Sequence, residues 1–269
     1  MSDEVVFIAG ISSDIGAALA RLYRQRDARV IGTYRDDAHV EMLRSLDGVT
    51  LIPCDVCEIG EIAAATQTFA ALGTRWTSYI SAIGQLAPIG PFLDIDWIQW
   101  ERSLAINGAA QLALVRALAP FRGRGVSAKL AFLVGGGING TFTNYSAYCL
   151  GKITLVKFCE LIDDECPDIH AVALGTGWVA TKIHRQTLAS GERAGDNLRR
   201  TREFIDSGAQ GTTCEEILAC LDWCFAQDRA VTGGRNVSVV HDPWRDGGAD
   251  LIERLRGERG RYKLRREGS

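Results

Sequence analysis

No apolar run in these 269 residues is long and unbroken enough to cross a bilayer; Ala109 to Ala119, the longest, is interrupted by Gln111 and Arg116. The opening Met1-Ser2-Asp3-Glu4 is acidic and leads directly into a short apolar strand, so it does not read as a secretory leader. Charge of one sign is also lacking: 30 Lys and Arg against 33 Asp and Glu leave a formal charge of -3, which gives no support to polyanion or nucleic-acid binding. Prolines number only 6, and no Pro/Ser-rich linker, internal repeat or low-complexity tract divides the chain, so one domain is expected. Paired metal-binding spacings are missing as well. Cys54-Asp55-Val56-Cys57 has no partner CxxC, Cys220 and Cys224 stand one residue too far apart, and the four histidines show no ligand spacing. No metal is expected. The 8 cysteines fall mostly inside apolar segments, which suits reduced thiols in the cytoplasm better than a disulfide framework.

What is present is 46% hydrophobic residues and 29 glycines, arranged as short apolar runs alternating with longer amphipathic ones. Strands are expected at Val5–Ala9, Val30–Tyr34, Val49–Pro53, Ser78–Ile83, Lys129–Val134, Ile169–Leu174 and Asn236–Val240. Helices are expected at Ile15–Arg24, Asp37–Leu46, Ile59–Leu72, Trp97–Leu118 (in two pieces around Ile106-Asn107), Ser146–Asp164 and Thr213–Phe225. Five-residue strands separated by helices of ten or more imply right-handed crossovers and an α/β doubly wound parallel sheet of the Rossmann type. Residues 1–250 are expected to form this single domain. Residues 182–212, polar and Gly-interrupted, read as a mobile lid. Residues 251–269 read as a basic C-terminal tail with seven basic and three acidic residues, solvated or in contact with another subunit.

Two constellations carry chemistry. The turn Ala9-Gly10-Ile11-Ser12-Ser13-Asp14-Ile15-Gly16 joins the first strand to the first helix, where backbone N–H groups and the helix N-terminus meet a pyrophosphate. An ordinary N-cap at Ser13 or Asp14 is compatible with that role. Further on, Tyr148 and Lys152 stand four apart on one helical face. An ammonium beside the phenol would favour phenolate and lower its pKa, making Tyr148 a proton donor or acceptor for a carbonyl/alcohol pair.

From Val5 to Val240 the chain resembles the short-chain dehydrogenase/reductase family, in its short single-domain branch. Gly10 and Gly16 match the first and last glycines of that family's cofactor loop, with Ser12, Ser13 and Ile15 between them. Asp55-Val56 matches the pair that contacts adenine, and Ser81-Ala82-Ile83-Gly84 stands where the family has Asn-Asn-Ala-Gly. The resemblance implies that Tyr148 and Lys152 are the catalytic pair, with Lys152 also holding the nicotinamide ribose and Asn107 holding a relay water. It implies that Gly177, Val179 and Thr181, in Thr176-Gly177-Trp178-Val179-Ala180-Thr181, lie at the nicotinamide. The run Gly135-Gly136-Gly137 and the end Asp242-Pro243-Trp244 resemble a bacterial subgroup associated with sugar or surface-polysaccharide biosynthesis.

Two departures bear on mechanism. The family places a Ser about thirteen residues before the Tyr, and here that window is Val134-Gly135-Gly136-Gly137-Ile138-Asn139; Asn139, Thr141, Thr143 and Ser146 are the nearest replacements, Thr141 foremost. Asp14 replaces the middle loop glycine, and its carboxylate must point away from a pyrophosphate. The second strand ends Thr33-Tyr34-Arg35 without an acid, so NADP(H) is expected ahead of NAD(H), unless Arg35 is solvated and paired with Asp36 or Asp37.

The expected activity is NADP(H)-dependent hydride transfer between the nicotinamide and a carbonyl or secondary alcohol of a small polar substrate, a sugar among the options. Arg185, Arg193, Arg199 and Arg200 in the lid would serve a phosphorylated substrate. The alternatives are an NADP(H)-binding sensor or assembly protein of little catalytic power, and an epimerase or dehydratase working through a transient ketone. Trp178 lines the pocket or packs, and His184 meets substrate or lies on the surface. The resemblance further implies a homodimer or homotetramer; no nucleic acid or membrane partner is expected.

Overall fold

A computed structural model of the chain describes residues 4–124 and 127–266. The strands are β1 (Val5–Ala9), β2 (Arg29–Tyr34), β3 (Val49–Pro53), β4 (Ser78–Ser81), β5 (Ala128–Val134), β6 (Ile169–Gly175) and β7 (Arg235–Ser238). They form one sheet in the order β3-β2-β1-β4-β5-β6-β7, every pair parallel. All five residues of β1 are buried, as a strand covered on both faces requires.

The helices are α1 (Asp14–Gln25), α2 (Val40–Arg44), α3 (Ile59–Ala71), α4 (Trp97–Asn107), α5 (Ala109–Leu118), α6 (Ser146–Glu165), α7 (His184–Ser190), α8 (Asp196–Asp206), α9 (Cys214–Ala226), α10 (Arg229–Thr232) and α11 (Ala249–Gly257). Leu19 of α1, Leu221 of α9 and Leu255 of α11 share one core with β1 and β6. Phe69 of α3, Leu114 of α5 and Leu155 of α6 fill the opposite core. The chain order reverses between β1 and β4, which opens a crevice at the carboxyl ends of those strands.

Several boundaries differ from the sequence expectation. α2 starts later than Asp37 because Asp36 Oδ1 accepts from the Ala38 N–H at 3.1 Å, closing a turn, and His39 follows at φ 59°. Residues 182–212 are not irregular: they hold α7 and α8. The helical stretch Trp97–Phe121 is, by length and composition, long and apolar enough to cross a membrane, contrary to the expectation drawn from Ala109–Ala119. It is bent at Gly108 (φ -136°, ψ -101°), and Leu114 and Leu118 pack beneath the sheet.

Residue 250 is no boundary either. Leu251 and Leu255 of α11 belong to the main core, and the residues beyond fold back along β7. The Arg235 guanidinium donates to the carbonyls of Leu255 (2.6 Å), Glu258 (3.0 Å) and Arg261 (2.5 Å), the Asn236 N–H donates to Tyr262 O at 2.8 Å, and Arg265 pairs with Glu160.

Candidate active site

The first turn is built by two positions that only glycine fits. Gly10 has φ +74°, and a Cβ there would lie 2.8 Å from Ile83 Cγ1; a Cβ on Gly16 would lie 2.4 Å from Gly10 O. Ser13 Oγ accepts from the Gly16 N–H at 3.0 Å and caps α1, leaving the start of that helix turned to a cavity of about 470 Å³. Ser13 and Ile15 line the cavity, whereas Gly10, Gly16 and the buried Ser12 shape the turn behind it.

Asp14 lines the cavity as well, but both oxygens of its carboxylate are engaged by the protein. Its Oδ1 accepts from His39 Nε2 at 2.8 Å and its Oδ2 from the Lys182 N–H at 2.6 Å. Burial opposes its charge, but the His39 and Lys182 contacts outweigh it and hold the carboxyl below its ordinary value. The carboxylate thereby clasps the glycine turn to the loop after β2 and to the base of the lid.

Tyr148 and Lys152 lie at the inner end of the same cavity, one turn apart on α6. Lys152 Nζ donates to Ile83 O at 2.7 Å and Leu133 O at 2.9 Å, and burial pulls its pKa down to about 7. The Tyr148 hydroxyl makes no hydrogen bond among the described residues, and burial raises its pKa. The sequence expectation of a lowered phenol pKa is therefore corrected. The ammonium is turned to two carbonyls, 6.0 Å from the Tyr148 ring centre, and cannot offset the desolvation. The phenol keeps its proton.

Gly135 is the position where the family's Ser was expected. A Cβ built there would fall 2.2 Å from Tyr148 Oη, so the phenol occupies space that a side chain would need. Neither Thr141 nor Thr143 lines the cavity, and Ser146 Oγ accepts from Trp100 Nε1 at 2.9 Å; Asn139 alone of the four replacements lines it.

Asn107 is wholly buried, and its amide is spent on the strand-end loop. Nδ2 donates to Gln85 O (2.8 Å) and Ser103 O (2.9 Å), and Oδ1 accepts from the Gln85 N–H (3.0 Å). Its side chain positions the loop beside Lys152. Ala82 and Gly84 line the cavity, whereas Ser81 donates to Gln111 Oε1 at 2.7 Å beneath it. Gly177, Val179 and Thr181 line it from the other side.

Arg35, Asp55 and Val56 lie outside this cavity, near the ends of β2 and β3. Arg35 is half exposed and sits 4.0 Å from Asp55, not on Asp36 or Asp37; Arg102 reaches the same carboxylate at 3.3 Å. Cys54 and Cys57 are unpaired, with burial pushing the Cys54 thiol up to about 12. No metal-binding group of side chains occurs among the described residues.

The lid is docked. Gln186 Oε1 accepts from the N–H groups of Leu86 (2.9 Å) and Ala87 (2.8 Å), and the Tyr145 and Thr187 hydroxyls bond at 2.9 Å. None of Arg185, Arg193, Arg199 or Arg200 lines the cavity, which corrects their expected role toward a phosphorylated substrate. Arg193 donates to Ile89 O and Asp94 O, and Arg199 pairs with Glu203 on the outside of α8. Trp178 and His184 both line the cavity, stacked on each other with ring centres 5.2 Å apart. Sequence reasoning missed Leu86, Phe142, Tyr145, Gln186, Asn197 and Thr201, which also line it. Of these, only Tyr145, three residues before Tyr148 on α6's entry, carried a positional signal.

A family model described as enoyl-(acyl carrier protein) reductase matches residues 10–234. The chain belongs to the short-chain dehydrogenase/reductase family. It is 31% identical over 121 residues to short-chain dehydrogenase PC-15 of Penicillium crustosum, a match covering 45% of each chain. The alignment thus spans under half of that relative. With momilactone A synthase of Oryza sativa subsp. japonica it shares 26% identity over 261 residues, 93% of this chain and 90% of the other. The fold superposes on a short-chain dehydrogenase of Shigella flexneri 2A strain 301 complexed with NADP, at TM-score 0.73 and 16% identity over 89% of this chain and 98% of that one.

Proposed function

We propose that this protein is an NADP(H)-dependent oxidoreductase interconverting a carbonyl and a secondary alcohol on a small molecule. The observation that carries the reading is the Tyr148 phenol: buried, protonated, without a hydrogen-bond partner among the described residues and lining a cavity that also reaches the α1 N-terminus. The glycine turn is a cradle that a single Cβ would fill, and it fits a pyrophosphate; Arg35 is exposed enough to fork onto a 2'-phosphate. When bound, NADPH supplies the hydride that the carbonyl carbon accepts. Tyr148 gives its proton to the carbonyl oxygen as the π pair moves onto it. Lys152, with its pKa near 7, exchanges a proton at neutral pH and keeps the site electrostatically balanced as Tyr148 is reprotonated. A phenol that rests protonated is ready to act as the acid of the reductive step, whereas the reverse step needs it deprotonated.

The finer expectation of a sugar substrate draws its support from the subgroup resemblance and from polar residues such as Asn139 at the cavity's outer part. The alternative of a weakly catalytic NADP(H) binder draws on Gly135. Free cysteines throughout fit a reducing, cytoplasmic setting, and a homodimer or homotetramer is proposed on the family resemblance. The test is thermal stabilisation by NADPH against NADH, then carbonyl turnover by the parent and by Tyr148→Phe. Stabilisation of both proteins by NADPH with turnover in the parent only is the expected result; equal inactivity of the two would favour the binder.

A further inference from the structure

Beyond the phenol, the lid sets the chemistry of the cavity. Leu86, Phe142 and Ile183 form its wall, with Tyr145 stacked on Phe142 at 4.3 Å between ring centres. Much of the polar surface in this part is committed to the protein: Tyr145 bonds Thr187, Gln186 Oε1 accepts from the backbone of Leu86 and Ala87, and His184 Nε2 bonds Val179 O at 2.8 Å, while Gln186 Nε2 has no partner among the described residues. A polyhydroxylated molecule enclosed here would leave hydroxyls without partners, each costing about tenfold or more in affinity.

Two side chains break that pattern. Asn197 and Thr201 stand four apart on one face of α8, both line the cavity, and they are only 5% and 2% exposed. The Thr201 hydroxyl has no hydrogen-bond partner among the described residues. Asn197 uses only Nδ2, donating to Thr143 O at 3.3 Å, and its Oδ1 has no partner there. Neither Asn197 Oδ1 nor Thr201 Oγ1 is among the fully enclosed unpaired polar atoms of the described residues, so both open onto the cavity rather than into packed protein. Their presence on the cavity side points to a ligand.

We propose that the substrate is a carbonyl compound, or its secondary alcohol, with a hydrocarbon frame and one hydrogen-bonding oxygen remote from the reacting carbon, and that Asn197 and Thr201 hold that oxygen. The inference rests on the hydride-transfer reading above and replaces the sugar with a far less polar molecule. Two oxygen functions, one at Tyr148 and one under α8, fix the frame in a single orientation.

The test measures NADPH oxidation with three probes: 2-decalone, a 2-decalone hydroxylated on the far ring, and D-fructose. The hydroxylated decalone is expected to exceed plain decalone in kcat/KM by about tenfold, with fructose not turned over. In Thr201→Val that ratio falls toward one, while Thr201→Ser, which keeps the hydroxyl, retains it. The Val side chain replaces an unpartnered hydroxyl by a methyl of the same shape, so folding is preserved. An unchanged ratio in Thr201→Val overturns the subsite. Preferred turnover of fructose overturns the substrate class and leaves the oxidoreductase reading standing. Stabilisation by NADPH with no turnover of any probe, in parent and Tyr148→Phe alike, overturns that reading and this one with it.

Discussion

Restoring the serine that the family places before its tyrosine would look, on sequence grounds, like a repair worth about 10²–10³ in rate. The structure predicts the reverse. A Cβ at residue 135 falls 2.2 Å from Tyr148 Oη, and carbon and oxygen rarely approach within about 3 Å, so the phenol must retreat by about 1 Å. The Tyr148 side chain is buried in a cluster with Leu86, Ile89 and Ala194 of the lid, and it has little freedom to absorb that shift. A displacement of that size at a proton donor costs about 10²-fold. Gly135→Ser and Gly135→Ala are therefore both expected to lose about two orders of magnitude in kcat with NADPH and any accepted carbonyl. Stabilisation by NADPH should persist, because the phosphate turn and Arg35 are remote from the change. The assay is steady-state NADPH oxidation together with a thermal shift at saturating NADPH. Activity in Gly135→Ser equal to or above the parent's would refute the reasoning and show that the tyrosine swings aside at no cost.

Three other perturbations follow from the same geometry. The Lys152 ammonium has a folded pKa of about 7 against an ordinary 10.5, so between those values the unfolded chain binds more protons and stability rises with pH. The cost of the buried charge is complete below pH 7. In Lys152→Met the Tm difference from the parent should therefore shift in the variant's favour by a few kcal/mol equivalent as pH falls from 10 to 6; a pH-independent difference would contradict it. Arg35→Ala should weaken NADPH about ten- to a hundredfold with little change in NADH, read as the ratio of KM values; equal losses would remove Arg35 from the phosphate. Asp14→Asn should loosen the clasp to His39 and Lys182. Because the Asp14 carboxyl is held below its ordinary value, that stabilisation is present above about pH 4 and lost in acid, so the parent–variant Tm gap should close as pH falls through that range.

The sheet was legible because its strands are apolar on both faces and carry the same pattern whichever way they turn. β7 was placed only approximately: Val239 and Val240 extend the apolar run past Ser238, where the strand ends. The lid helices were not legible for a more specific reason. The buried face of α8 carries Asn197 and Thr201, so the four-residue spacing is present but written in polar residues, and apolar periodicity cannot detect it. At the Tyr148 end of the cavity, the missing hydroxyl could be read from Gly135, but not that the Tyr148 hydroxyl fills the space a side chain there would need. The Tyr148–Lys152 spacing gave the pair and the wrong sign of the phenol's shift, because spacing on a helix does not report that Nζ is turned to the carbonyls of Ile83 and Leu133.

The residues after α11 have a consequence for how molecules of this protein meet. A parallel sheet ending at β7 would present a ladder of unsatisfied amides, a template on which a strand from a neighbouring chain could grow. The Asn236 N–H is instead occupied by Tyr262 O, and Arg235 gathers three carbonyls of the returning chain beside it. The stretch whose basic composition suggested a loose appendage thus acts as the selvage of the sheet. A chain shortened by a dozen residues at this end would keep Tyr148 in its cavity and still be prone to edge-to-edge aggregation.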